Sequence, residues 1–143
     1  MEGDKKNKFW AGGFLYNPET KRVLLQKRDS KAPINPNIWG FFGGAGEEGE
    51  TPEECVIREW REELGIEVDK KDLIPFRDYL NEDYDAWRYV FYVKSNRPKS
   101  EITLNEGADF DWVPLKEAIY YDASDKTVKD LQLFLEMLEF DRI

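Results

Sequence analysis

The stretch of residues 43–66 constrains this chain most, because it joins a glycine turn to a short and heavily acidic helix. Near the end of that helix, Glu59, Glu62 and Glu63 stand at positions i, i+3 and i+4, which lie side by side on a helix. Like charges at that spacing destabilise a helix by roughly 0.2–0.5 kcal/mol per pair. Hard divalent cations such as Mg²⁺ take carboxylate oxygens as ligands and would offset this repulsion. The cluster therefore predicts a metal-binding edge on the helix.

The boundaries of this helix are marked at both ends. Thr51 followed by Glu54 is the pattern of a capping box, and Pro52 fits the first helical turn. Gly65 supplies the left-handed residue with which many helices end. Helical spacing collects one apolar face, formed by Val56, Ile57, Trp60 and Leu64. We therefore expect a helix that packs on a sheet with one side and carries its charges on another.

Charge and composition exclude several classes of function. The formal net charge is −9, and the eight glutamates and two arginines within residues 44–66 account for −6 of it. Such an acidic chain lacks the basic surface with which proteins bind nucleic acid. The chain has no histidine, which excludes imidazole catalysis and histidine-based zinc sites. Acid–base chemistry is left to carboxylates, lysines, tyrosines or metal-bound water.

We expect one domain, residues 1–143, located in the cytoplasm. The length suits a single domain with its own core. The only cysteine, Cys55, excludes an internal disulfide and fits a reducing compartment, and we interpret it as a small packing residue rather than a nucleophile. No apolar run approaches the roughly 18 residues of a membrane span, and the N-terminal residues lack the apolar segment of a secretory signal.

The remaining sequence predicts strands and a second helix. The expected strands are 9–16, 23–28, 39–42, 73–81, 86–95 and 110–113, with another beginning at 66–68. Gly12 and Gly13 inside the first strand indicate a bulge or a close approach of another group to the backbone. An amphipathic helix should begin near Ser124, with its apolar face formed by Val128, Leu131, Leu135 and Leu138. This pattern predicts an α/β fold with a mixed sheet.

Residues 44–66 also follow a long pattern of fixed spacing, G-x5-E-x7-R-E-U-x-E-E-x-G-U, in which U is a bulky apolar residue. Its positions are filled by Gly44, Glu50, Arg58, Glu59, Trp60, Glu62, Glu63, Gly65 and Ile66. The pattern resembles the signature box of the Nudix hydrolases. Trp60 is an unusual apolar choice in that box, and Phe42 stands where many relatives have proline before the glycine pair.

The resemblance implies an α/β/α sandwich with a mixed β-sheet. It also implies cleavage, dependent on Mg²⁺ or Mn²⁺, of a diphosphate linked to another group, often a nucleoside. Carried over by position, Glu59 and Glu63 would be the main metal ligands. Glu62 and the backbone carbonyl of Gly43 would complete the set.

The same resemblance assigns roles around the metal. Arg58 would orient Glu59, and Glu50 would brace Arg58 and the loop. On its own, Arg58 could equally pair with acidic neighbours one turn away on the helix. Glu106 matches a loop glutamate that binds metal or acts as general base in some relatives, so two carboxylates, Glu59 and Glu106, compete for the role of base.

The predicted substrate contacts lie on strand ends and on the hairpin. Lys27 or Arg28 would bind phosphate, and at most one should reach the site because neighbouring strand residues point to opposite faces. Phe41, Tyr84 and Trp87 are candidates for stacking on a base, although Phe41 could equally belong to the core.

We therefore expect an Mg²⁺-dependent pyrophosphohydrolase that acts on a nucleoside triphosphate or another nucleoside-diphosphate-linked substrate. The alternative among enzymes is a hydrolase of dinucleoside polyphosphates or nucleotide sugars. The alternative outside enzymes is a Nudix-fold module that binds nucleotides without hydrolysing them. The expected partner is a small-molecule nucleotide or diphosphate, with no nucleic acid and no membrane, and a homodimer is left open.

Overall fold

The computed structural model describes residues 8–31, 38–105 and 109–140. Within these ranges the chain forms seven strands and three α-helices. The strands are β1 (Phe9–Asn17), β2 (Arg22–Lys27), β3 (Trp39–Gly40), β4 (Phe42–Ala45), β5 (Ile74–Asn81), β6 (Ala86–Lys94) and β7 (Asp109–Pro114). The helices are α1 (Pro52–Leu64), α2 (Leu115–Ala118) and α3 (Asp125–Glu139). The predicted α/β class is confirmed.

Strand β1 organises a single mixed sheet. It pairs in parallel with β6, and antiparallel with β2 at one end and with β4 at the other. Strand β7 pairs with β2 along its whole length, whereas β1 pairs only with the start of β2 and β3 pairs with its end. The chain then passes from β3, beside β2, to β4, beside β1. In the β1–β4 pairing, Gly43 lies opposite Gly12 and Gly44 opposite Ala11.

Helices cover both faces of the sheet, and each face has its own apolar cluster. The cluster under α1 includes Ala11, Leu24, Phe42, Val56, Trp60 and Phe91. The cluster under α2 and α3 includes Phe14, Val23, Leu25, Phe41, Leu131 and Phe134. This arrangement confirms the predicted α/β/α sandwich and places the acidic helix α1 directly above β1 and β4.

The ends of the elements follow the local sequence closely. Thr51 accepts a hydrogen bond from the Glu54 amide and the Glu54 side chain accepts one from the Thr51 amide, which confirms the capping box. Gly65 ends α1 in the left-handed conformation with φ of 64°. Ser124 caps α3. None of the described helices is long and apolar enough to cross a bilayer.

Two expectations about secondary structure were wrong. Residues 66–68 form no strand; Ile66 instead packs its side chain in the core beneath α1, and the apolar residues there signal burial only. The short helix α2 was not predicted because four residues are too few to show helical periodicity. The buried face of α3 is centred on Leu131 and Phe134 and contains the charged Asp130, which apolar spacing does not reveal.

Candidate active site

The glycine pair of β4 makes room for one carboxylate. A Cβ atom built on Gly44 would lie 2.6 Å from both Cδ and Oε1 of Glu59. The Glu59 carboxylate therefore rests directly on the backbone of β4, where no other residue type would leave space. Gly43 is required for a different reason, since a Cβ there would lie 2.5 Å from the Ala11 carbonyl oxygen across the sheet.

Arg58 connects the carboxylates of this site. Its Nη1 donates to Glu59 Oε2 at 2.7 Å, and its Nε and Nη2 donate to the two oxygens of Glu50 at 2.7 and 3.0 Å. Contacts from Nη1 to Glu62 are longer, 3.4 Å to each oxygen. The shortest contacts are thus with Glu50 and Glu59, as the family resemblance implied, and not with the neighbour one turn away.

Glu50 links Arg58 to the loop that precedes α1. Its Oε1 also accepts a hydrogen bond from the Glu47 amide at 2.9 Å. The hydrogen bond from Arg58 holds the pKa of Glu50 below its ordinary value. A guanidinium that contacts two carboxylates in this way has a fixed orientation, because its planar fork leaves little rotational freedom.

Glu62 and Glu63 differ in their exposure to solvent. The Glu62 side chain is 54% exposed, whereas Glu63 is 4% exposed. The loop at Asn105 borders both residues: its amide donates to the Glu63 carbonyl and its side chain to the Glu62 carbonyl, each at 2.9 Å. Within the described parts of the chain, no three acidic or thiol side chains converge closely enough to hold a metal ion as they stand.

Side chains fix the carbonyl groups of the segment 41–45. Gln26 donates to Phe41 O at 3.0 Å, Trp60 to Phe42 O at 2.9 Å, Cys55 to Gly44 O at 3.5 Å and Arg58 to Ala45 O at 3.3 Å. Among the described residues, none donates from its side chain to the Gly43 carbonyl, which is the predicted metal ligand of this segment. Sequence reasoning missed the contribution of Gln26, because a buried glutamine in a strand carries no recognisable pattern.

The two departures from the family pattern contact each other. The indole of Trp60 is fully buried, and its hydrogen bond to Phe42 O satisfies the one polar atom that tryptophan brings into the core. Phe42 is fully buried as well and pairs with Gly13 of β1. The unusual tryptophan thus stabilises the segment that lacks the usual proline.

Cys55 is a packing residue, as predicted. It is fully buried under α1. Burial, with a smaller contribution from the nearby Glu50 carboxylate, raises the pKa of its thiol to about 12. A thiol with such a pKa is protonated at neutral pH and is not a nucleophile.

The predicted substrate-contacting residues occupy separate places. Lys27 ends β2 opposite Trp39 and Asp109, and Arg28 follows it. Phe41 is buried beside Phe14 in the cluster under α3.

Tyr84 and Trp87 belong to the β5–β6 hairpin and are 48% and 41% exposed. Since Trp87 alternates with Arg88, it lies on the face of the sheet opposite Phe41. The structure therefore does not bring Phe41 and Trp87 together. Glu106 lies outside the described residues.

The comparison with protein families decides the family of this chain. The model of the NUDIX domain matches residues 7–135. The chain belongs to the Nudix hydrolase family. This Nudix hydrolase is 32% identical over 123 residues to the nucleoside triphosphatase NudI of Escherichia coli, an alignment that covers 77% of this chain and 85% of the relative.

Solved structures agree on the fold. A Deinococcus radiodurans protein matches with a TM-score of 0.74 and 21% identity, covering 87% of this chain and 81% of its own. An Ap4A hydrolase from C. elegans matches with a TM-score of 0.67 and 21% identity, covering 91% and 98%. At such identities the likeness concerns the fold alone. The Nudix family generally uses divalent metal ions, which agrees with the acidic edge of α1.

Proposed function

We propose that this Nudix hydrolase cleaves a phosphoanhydride bond of a nucleoside triphosphate, or of another nucleoside-diphosphate-linked substrate, with Mg²⁺ or Mn²⁺. One observation carries the proposal: the Glu59 carboxylate rests on the glycine backbone of β4 while Arg58 holds it from the side. The 32% identity to a nucleoside triphosphatase supports this substrate class.

The donor types on this edge of α1, carboxylates and a backbone carbonyl, are those that a divalent cation such as Mg²⁺ prefers. Glu59 and Glu63 would be the main ligands, with Glu62 and the Gly43 carbonyl completing the set. The glycine cradle under Glu59 supports this assignment, as does the Gly43 carbonyl, to which no side chain of the described residues donates. When bound, the ion supplies a polarised phosphoryl oxygen and a lowered pKa for an attacking water. A cation is also what lets a protein of net charge −9 hold a polyphosphate.

The chain's own residues would orient the groups and move the proton. Glu59 would accept a proton from the attacking water; the bond from Arg58 to one of its oxygens and the position of its carboxylate above β4 support this role. Glu50 would hold Arg58 in the fork geometry that this requires. Lys27 or Arg28 would bind phosphate. Glu106 is the second candidate for the base.

A substrate panel tests the proposal. Nucleoside triphosphates, nucleotide sugars and dinucleoside polyphosphates are incubated with the protein and Mg²⁺ or Mn²⁺, and products are identified by chromatography. We expect release of pyrophosphate or phosphate from at least one triphosphate, with kcat/KM higher than for the other two classes. Turnover only of dinucleoside polyphosphates or nucleotide sugars would replace the triphosphate assignment with one of these alternatives.

A further inference from the structure

A second charged cluster lies on the face of the sheet that α3 covers, opposite the face that carries α1. Asp130 of α3 is fully buried and accepts hydrogen bonds from Nε and Nη2 of Arg88, both at 3.1 Å. Tyr79 donates its hydroxyl to Asp130 at 3.0 Å, and Arg77 Nη1 lies 3.4 Å from the other carboxylate oxygen. Two guanidinium groups thus face one carboxylate, so the cluster carries at least one positive charge inside an acidic protein.

Arg88 connects this cluster to the glycines of β1 and β4. Its guanidinium carbon lies 4.4 Å from the centre of the Trp10 ring and 5.5 Å from that of Phe41. The Trp10 ring covers the glycine backbone, because Cβ atoms on Gly12 and Gly43 would lie 2.5 and 2.8 Å from it. Arg88 is therefore one aromatic ring away from the proposed Gly43 ligand.

The orientation of Arg88 leaves one nitrogen unused. Two of its three guanidinium nitrogens donate hydrogen bonds to Asp130. The third, Nη1, donates no hydrogen bond to any of the described residues. The side chain is 10% exposed, and the adjacent Trp10 is partly exposed as well. An arginine that is held on one side by a buried carboxylate presents its remaining N–H groups in a fixed direction.

Stability alone gives a weak reason for such a cluster. A buried ion pair contributes little compared with well-packed apolar residues of the same volume. Apolar side chains already join α3 to the sheet through Phe134, which contacts Phe14, Tyr16, Phe76 and Tyr92. If apolar residues replaced Arg88 and Asp130, the protein would lose the hydrogen-bond donor Nη1, which the pair holds in a fixed direction.

We propose that Arg88, oriented by Asp130, is a specificity-determining residue that donates to the base of the nucleotide and selects keto bases over amino bases. A guanidinium can only donate hydrogen bonds. Guanine and uracil or thymine present a carbonyl oxygen where adenine and cytosine present an amino group. An amino group facing Nη1 would leave two donors opposed and unsatisfied. This inference rests on the proposed nucleotide substrate.

Binding of products tests the inference without any need for turnover. GMP, UMP, AMP and CMP are titrated into the protein with Mg²⁺ present, and dissociation constants are measured by calorimetry. We expect GMP and UMP to bind on the order of 5- to 100-fold more tightly than AMP and CMP. Equal affinity for all four would overturn the inference even if triphosphates are cleaved. The expected preference without cleavage of any triphosphate would overturn the proposed function and leave the role of Arg88 standing.

Variants identify the group responsible. The double substitution Arg88→Gln and Asp130→Asn removes both charges together, and because glutamine both donates and accepts, the preference should fall to within about twofold. Arg77→Gln is the matched control: this arginine also pairs with Asp130 but stacks on Tyr79, so the preference should persist. If the double variant fails to fold, Arg88→Lys, which keeps the charge beside Asp130, takes its place and should reduce the preference. An equal weakening of all four monophosphates would show a phosphate contact and overturn the inference.

Discussion

A methyl group on Gly44 would occupy the place of the Glu59 carboxylate, 2.6 Å from its Oε1. The two residues are 15 positions apart in the chain, and the space between them exists only because β4 carries no side chain there. The three atoms nearest to that methyl group all belong to the end of the flexible Glu59 side chain. An alanine at this position should therefore move the carboxylate while leaving the strand in place.

The first prediction follows from this contact. Gly44→Ala should lower kcat on the order of 100-fold, because a misplacement of about 1 Å costs that much. The free energy of unfolding should change by less than about 0.5 kcal/mol.

Two other glycines serve as controls for that substitution. Gly40→Ala should be close to neutral in both measurements, since among the described residues its Cβ would meet only Thr127 Oγ1, at 3.9 Å. Gly43→Ala should destabilise by about 1–3 kcal/mol, because its Cβ would clash with backbone. A Gly44→Ala variant with the kcat of the wild type would contradict the assignment of Glu59 as a metal ligand and general base.

The second prediction concerns the metal. The Glu59→Gln/Glu63→Gln double variant should lose specific binding of Mg²⁺ or Mn²⁺ in a calorimetric titration, since two of the proposed ligands lose their charge. The Glu48→Gln variant, at an exposed position in the loop before α1, controls for a general loss of negative charge. Binding of equal strength by wild type and double variant would remove these glutamates as ligands.

Local sequence signals predicted most of the fold, because the relevant interactions are local. The capping box at Thr51, the stop at Gly65 and the β5–β6 hairpin all depend on residues within a few positions of each other. The strand predicted at 66–68 failed because apolar residues there satisfy the core without pairing in the sheet. The contacts of Arg58 with Glu50 and Glu59 were implied by the family resemblance, whereas helical spacing alone left pairing with neighbours one turn away equally open.

Contacts between distant segments could not be predicted. The bond from Gln26 to Phe41 and the packing of Trp10 on Gly43 join separate strands, and neither has a spacing rule. Asp130 shows the same limit. A charged residue in an amphipathic helix is expected at the surface, yet Asp130 is fully buried because Arg88 and Tyr79, on two strands of the sheet, pair with its carboxylate.

The third prediction is a pH dependence of stability. The hydrogen bond from Arg58 holds the pKa of Glu50 in the folded protein below its ordinary value of 4.5. The stabilisation from this carboxylate is therefore fully present above pH 4.5 and is lost as the pH falls through the lowered folded value. Thermal melts of wild type and Glu50→Gln should differ most near pH 7 and converge in acid. A difference that stays constant down to pH 3 would contradict it.

The fourth prediction decides between the two faces of the hairpin. Trp87 and Arg88 are neighbours in β6 and point to opposite faces, so one base cannot contact both. If the base lies on the side of Arg88 and Phe41, Trp87→Ala and Tyr84→Ala should leave KM within about twofold for the best substrate. A rise of roughly fivefold or more in either variant, the effect expected for loss of a stacking contact, would place the base on the other face.

The last prediction concerns the general base. Glu59 is held by Arg58 on one oxygen, and a nearby divalent cation keeps a carboxylate ionised at neutral pH, so Glu59 can orient the water and also accept its proton. Its competitor, Glu106, lies outside the described residues; the residue before it, Asn105, donates to the Glu62 and Glu63 carbonyls at the end of α1.

The comparison of kcat for Glu59→Gln and Glu106→Gln at saturating metal separates the two, with folding checked by thermal melts. Loss of a general base typically costs about 10²–10⁴ in rate, and loss of an auxiliary loop ligand should cost less. We expect the larger loss at Glu59, because Gly44 and Arg58 fix its carboxylate on two sides and a base acts only from a fixed position. A larger loss at Glu106 would move the base to the loop and leave Glu59 as a metal ligand.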